Sequence, residues 1–266
     1  MNAPERFFLP DVQSSPDTRQ LAIHQVGVRG LRYPLALLAA DGQARHTVAT
    51  LSMSVGLPPD VKGTHMSRFV EVIETKRAPM SLDSLNRMLS EMLLRLDADS
   101  GRIEMAFPWF ILKTAPVSGV ESLLDYDVRI VLEKRPGHYA ETRLEIVAPV
   151  TSLCPCSKKI SAYGAHNQRS HITLSVLLRS EMSLEALARI AEEEASCEVF
   201  GLLKRPDEKW VTEHAYDNPK FVEDLVRDIA LRLMNEPCIA EWTVKSENFE
   251  SIHNHSAYAE ISGRND

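Results

Sequence analysis

Period-two alternation limits this chain more than any other feature. Leu51, Met53 and Val55 alternate with Thr50, Ser52 and Ser54. Tyr126, Val128, Ile130 and Leu132 alternate with Asp127, Arg129 and Glu133, and Ile172, Leu174 and Val176 with Thr173 and Ser175. Successive side chains of a strand point to opposite faces, so each run predicts a half-buried strand with one apolar and one polar side. Residues 31–39, 103–112 and 144–150 add further strand-like runs, Asp41-Gly42 is a turn signal between the first two strands, and a last strand pair flanks residues 246–256.

Helical spacing appears between these runs. Ser81 predicts the cap of a helix carrying Leu82, Leu85, Met88, Leu89, Met92, Leu93 and Leu96. Ser183 predicts the cap of an acidic helix, with Leu184, Leu187 and Ile190 inward and Glu192, Glu193 and Glu194 on a solvated face. Asn218-Pro219 predicts the start of a third, with Val222, Leu225, Val226, Ile229 and Leu233 as its stripe and Pro237 beyond its end. Residues 69–73 read as a strand and residues 201–210 as a loop. Strands, helix, strands occur in this order twice, so a duplicated unit is expected: an extended arm over residues 1–20, one module over 21–136 and a second over 137–266.

At 266 residues with a formal net charge of −7, the chain can bury a full core but lacks the basic surface that phosphate backbones need, so a nucleic-acid partner is not expected. No run approaches the roughly 18 to 20 apolar residues of a membrane span. The N-terminus has no basic region followed by an apolar one, so a cytoplasmic protein is expected. Its four cysteines are too few for a disulfide framework.

The chemistry concentrates in residues 150–171, an excursion between two predicted strands that holds Cys154, Cys156, His166, Arg169 and His171. In an extended chain residues i and i+2 share a side, so this spacing allows Cys154 and Cys156 to face one cavity and leaves open which of them meets the chemistry. Thiolate, imidazole and carboxylate are the usual donors to a catalytic transition metal. The candidate donors are Cys154, Cys156, His166, Glu208 and Glu250, with His253 and His255 nearby. Lys62, His65 and Arg68 form a basic segment suited to phosphate oxygens.

Four strings carry a family resemblance: Lys62-Gly-Thr-His-Met-Ser-Arg-Phe69, Ser152-Leu-Cys-Pro-Cys-Ser-Lys158, Tyr163-Gly-Ala-His-Asn-Gln-Arg-Ser-His171 and Glu247-Asn-Phe-Glu-Ser-Ile-His-Asn-His255. They resemble the prokaryotic type IB GTP cyclohydrolases. The resemblance implies an α+β tunnel fold, with two tandem ββαα-type modules per subunit that form antiparallel β-barrels in a homotetramer and active sites between subunits. It implies hydrolytic opening of GTP at C8 to 7,8-dihydroneopterin triphosphate and formate, the first step of folate and pterin biosynthesis. It also implies a divalent metal (zinc, manganese or iron) held by a cysteine of the Cys154/Cys156 pair, His166, Glu208 and Glu250, activating water for the attack. Glu223 matches the purine-anchoring glutamate; Lys62, His65, Arg68 and Arg169 are triphosphate candidates. His253 or His255 is the expected proton donor, beside the catalytic thiols Cys154 and Cys156. Two rivals are a tunnel-fold nitrile reductase using NADPH and a pterin- or purine-binding protein with a closed structural zinc site.

Overall fold

A computed structural model describes residues 13, 15–75 and 78–266. Most of the arm expected over residues 1–20 lies outside the described residues. The first half runs β1 (Ile23–Leu38), β2 (Ala44–Leu57), α1 (Met66–Glu74), α2 (Leu82–Arg95), β3 (Gly101–Thr114) and β4 (Glu121–Lys134). The second runs β5 (Ala140–Leu153), α3 (Pro155–Ile160), β6 (Asn167–Leu178), α4 (Leu184–Glu193), β7 (Cys197–Glu198), α5 (Arg205–Asp217), α6 (Val222–Met234), β8 (Ile239–Asn248) and β9 (Ala257–Arg264).

All nine strands join one antiparallel sheet in the order β1-β2-β3-β4-β5-β6-β8-β9, with the short β7 beside β5. The alternating apolar positions explain why. Met53 lies opposite Ile103, Ile103 opposite Leu132, Ile130 opposite Leu144, Ile146 opposite Leu174 and Leu174 opposite Val244, so these side chains share a face. All are buried, in one core with Phe69 of α1, Leu89 of α2, Leu187 of α4 and Ile229 of α6. The other face is charged: Arg102 pairs with Glu104 and Glu133, Arg129 with Glu104, and Arg143 with Glu241. Such part-exposed pairs contribute at most about 1 kcal/mol each. Their main effect is to keep that face wet.

The chain forms one continuous sheet in place of the expected tunnel fold of two tandem ββαα-type modules. β4 pairs with β5 from Asp127 opposite Val147 to Lys134 opposite Ala140, directly across the 136/137 boundary, and one core spans both halves. A tight turn between two long strands, each apolar on the same face, favours one continuous sheet over two separately closed units.

Four local expectations also change. Residues 69–73 belong to α1, because Phe69, Val72 and Ile73 recur at helical spacing and all face the core. The loop expected over residues 201–210 gives way to α5 from Arg205: Pro206 sits in its first turn, where its missing N–H costs nothing, and Asp207 caps it. Asn218-Pro219 ends α5 instead of opening α6, which starts at Val222 after the cap residue Phe221. Glu192, expected in solvent, is nearly buried and ion-paired with Lys113 at 2.8 Å.

Candidate active site

β5 delivers the chain to Cys154 with its last backbone groups held on two sides. The Leu153 N–H donates to the Ser196 hydroxyl at 3.1 Å, and the Leu153 carbonyl accepts from the Lys220 N–H at 3.1 Å. Cys154 is then the N-cap of α3, with Pro155 in the first turn. The two thiols are therefore not on one side of an extended segment: Cys154 is half-buried and accepts from the Ser157 N–H at 3.5 Å, while Cys156 is exposed on the helix. Helix geometry, which turns the chain right after Cys154, separates them.

Ser157 closes the excursion. Its hydroxyl donates to the Cys154 carbonyl at 3.1 Å and accepts from the His166 N–H at 3.2 Å, and the Cys154 N–H donates to the His166 carbonyl at 3.1 Å. The His166 ring has Nδ1 3.0 Å from the Gln168 side-chain oxygen and 3.5 Å from the Ser251 hydroxyl. Nδ1 thus faces the amide oxygen and the hydroxyl, and the tautomer protonated at Nδ1 is the one that would leave the Nε2 lone pair free to act as a donor to a metal. Ser251 brings the loop after β8 against His166, and with it the adjacent Glu250. The Phe249 N–H, donating to the Arg169 carbonyl at 3.0 Å, and the edge-on contact of Phe249 with His171 hold the same loop. Below, the buried Ser152 and Ser170 hydroxyls bond at 2.7 Å, and Ser246 donates to Asn248 at 3.0 Å, so these three buried hydroxyls are satisfied within the strand ends.

Two helices border the cluster. Lys158 donates to the Tyr216 carbonyl and lies over the Tyr216 ring, joining α3 to the end of α5. Glu223 is exposed in the first turn of α6, three residues beyond Lys220. Glu208 is exposed in the first turn of α5, next to the fully buried Asp207. Asp207 accepts from the Val117 N–H (2.9 Å), the Ser118 N–H (2.8 Å), the Ser118 hydroxyl (2.6 Å) and the Lys204 N–H (2.8 Å). Burial alone would raise its carboxyl, but these donors outweigh burial and hold it well below the usual carboxylate range. Asp207→Ala is expected to lower the melting temperature by several degrees, because four donors lose their acceptor at once; calorimetry checks this, and an unchanged transition would show that the 115–120 turn does not depend on it.

The sequence candidates thus divide by place. Cys154, Cys156, His166, Arg169, Glu208, Glu223, Glu250, His253 and His255 lie at the end of the sheet where β5 stops and β6 starts. His253 and His255 are exposed and stacked, with ring centroids 5.2 Å apart. Lys62, His65 and Arg68 follow β2, at the opposite end, where Arg68 donates to the Arg95 carbonyl at 3.1 Å. The length of β5 separates the two ends, roughly 40 Å at the rise of an antiparallel strand. Among the described residues no three His, Cys, Asp or Glu side chains are grouped closely enough to hold a metal ion. The donor types suit a metal, but the arrangement in a single chain does not close a site. Gln168 and Asp207 were not singled out from the sequence. A glutamine two residues along a strand from a histidine, and a Pro-Asp pair in a helix first turn, are the signals that mark them.

Similarities to known proteins add two findings. Uricase from Arthrobacter globiformis aligns over 91% of this chain and 94% of that chain, with a TM-score of 0.53 at 10% identity. A hyper-thermostable mutant of it gives 0.50 at 12% identity. That likeness concerns the fold alone, and the uricase-like single sheet replaces the tunnel-fold expectation. In sequence, the family described as type I GTP cyclohydrolase FolE2 matches residues 9–259. GTP cyclohydrolase FolE2 1 of Dechloromonas aromatica is 73% identical over 266 residues, covering all of both chains. GTP cyclohydrolase FolE2 2 of Cupriavidus metallidurans is 63% identical over 257 residues, covering 96% of this chain and 95% of that one. These matches carry the FolE2 family and not the type IB tunnel-fold assignment drawn from the resemblance. The chain is an enzyme that belongs to the type I GTP cyclohydrolase FolE2 family.

Proposed function

We propose that this enzyme opens the guanine ring of GTP by hydrolysis at C8, giving 7,8-dihydroneopterin triphosphate and formate at the start of folate biosynthesis. The observation that carries the reading is the convergence of Cys154, His166 and the loop holding Glu250, His253 and His255 at one end of the sheet, with Glu223 on the helix beside it. Family membership supports it.

The protein groups divide the work. The Glu223 carboxylate accepts from guanine N1–H and the 2-amino group, a pair of donors that adenine does not present. His253 or His255 protonates a ring nitrogen as C8 becomes tetrahedral, imidazole being the side chain best suited to proton transfer near neutrality. Arg169, with Lys62, His65 and Arg68, takes the triphosphate. The last three sit across the sheet from the thiol cluster, much farther away than a nucleoside triphosphate can reach. A second copy of the chain supplies them in this reading, which is why an oligomer, a homotetramer by family analogy, is part of the proposal.

A divalent ion (zinc, manganese or iron) belongs to the proposal as well. Cys154, Cys156, His166, Glu208 and Glu250 are the donors assigned to it, and they need rearrangement or a second chain to close around it.

The test is incubation of the full chain with GTP and each of the three metals, read by pterin fluorescence after oxidation and by formate release. Equal amounts of pterin and formate are expected; no pterin with any metal would sink the reading. In the same assay Cys154→Ala is expected to lose about 100-fold and the exposed Cys156→Ala less than about tenfold. Full activity in both variants would make the thiols structural.

A further inference from the structure

β4 leaves β5 at Val147, so the last residues of β5 keep β6 on one side and have only β7 on the other, with Val150 opposite Glu198 and Thr151 opposite Cys197. Those residues lead straight into Cys154. β7 is only two residues long and needs an anchor.

Lys113 of β3 provides one. Its ammonium is ion-paired with Glu198 of β7 and lies 2.8 Å from Glu192 of α4, and the Tyr126 hydroxyl of β4 donates to the same Glu192. The Lys113 and Glu192 side chains keep only 8% and 10% of their exposure. Phe200 lies against the ammonium, its ring centroid 5.6 Å away. Four elements from both halves of the chain thus meet at one buried cation, across the gap that β4 opens. A buried ion network of this kind adds little net stability compared with apolar packing of the same volume, so its better-attested use is to select one arrangement.

We propose that Lys113 is a positioning residue for the GTP-opening reaction: through Glu198 and β7 it fixes the strand end that presents Cys154 and His166. This rests on the function proposed above. The ammonium holds the Glu198 carboxylate; β7 carries that constraint to Val150 and Thr151; and Ser196, just before β7, holds the Leu153 N–H. Lys113 touches none of the reacting groups. Its loss therefore acts on the alignment of the site and not on recognition of the nucleotide.

Two variants of the full-length enzyme test this. Glu198→Ala breaks only the link to β7 and leaves Lys113 paired with Glu192; Glu198 is 36% exposed, so the change is tolerated. A triple variant, Lys113→Met with Glu192→Gln and Glu198→Gln, removes every ion pair of the network without stranding a charge. Both are expected to lower kcat by roughly 10- to 100-fold, as small misplacements of a site do, with KM for GTP within about threefold. Amide hydrogen exchange at residues 150–154 is expected to speed up while the core strands stay protected. Wild-type kcat, or unchanged exchange at residues 150–154, in either folded variant would overturn the proposal. If the unaltered enzyme makes no pterin, the function reading fails by itself, and the exchange measurement still decides whether Lys113 holds the strand end.

Discussion

Replacing His253 and His255 together by alanine is expected to lower kcat by roughly 10²- to 10⁴-fold, the usual contribution of a positioned general acid. KM for GTP should change by less than about threefold, because proton donation is realised in the transition state and not in substrate binding. The structure makes this a strong test of role. Both imidazoles are exposed and stacked on one another, and neither packs into the core, so their removal should leave the fold intact. A thermal transition equal to that of the unaltered enzyme, alongside the lost turnover, would show that the effect is chemical. The single variants divide the role: the true donor alone should reproduce nearly the whole loss, since groups acting in one step are not additive. If the double variant kept more than about a tenth of its kcat, proton transfer would have to come from elsewhere.

The second large effect concerns recognition. Glu223→Gln is expected to reduce kcat/KM for GTP by roughly 10²- to 10³-fold, equivalent to about 3 to 4 kcal/mol, as when one partner of a hydrogen-bonded charge pair is removed. A plainer role competes with this one. Glu223 and Asp224 are acidic residues in the first turn of α6, where a carboxylate stabilises the helix by about 0.3 to 1 kcal/mol. That role predicts a small change in melting temperature and none in kinetics. Inosine triphosphate, which lacks the 2-amino group, separates the two: the unaltered enzyme should prefer GTP, and Glu223→Gln should erase most of the preference. Equal use of both nucleotides by the unaltered enzyme would remove Glu223 from the purine site.

Helix boundaries show where sequence reasoning reaches its limit. The helix capped by Ser81 was legible because a cap and a long apolar stripe agree, and the Ser81 hydroxyl does accept from Ser84. Residues 69–73 were not, since Phe-Val-Glu-Val-Ile, a short segment rich in β-branched side chains around one glutamate, fits either period until its neighbours are known. Pro206 reads as a breaker in isolation and acts as a helix starter in context. Glu192 reads as a surface carboxylate because Lys113, 79 positions earlier in the chain, is invisible from its own helix.

The sequence by itself determined which groups are available for chemistry and which end of each strand they follow, because strand alternation, caps and the dense 150–171 segment are local properties of neighbouring residues. Only the tertiary structure decided that both halves share one sheet, that Cys154 turns inward while Cys156 faces out, and that the basic segment at residues 62–68 stands at the far end from the thiols. The physical reason is that strand pairing and burial depend on partners distant along the chain. A pattern of apolar and polar residues fixes which face is buried, but not which strand lies next to it.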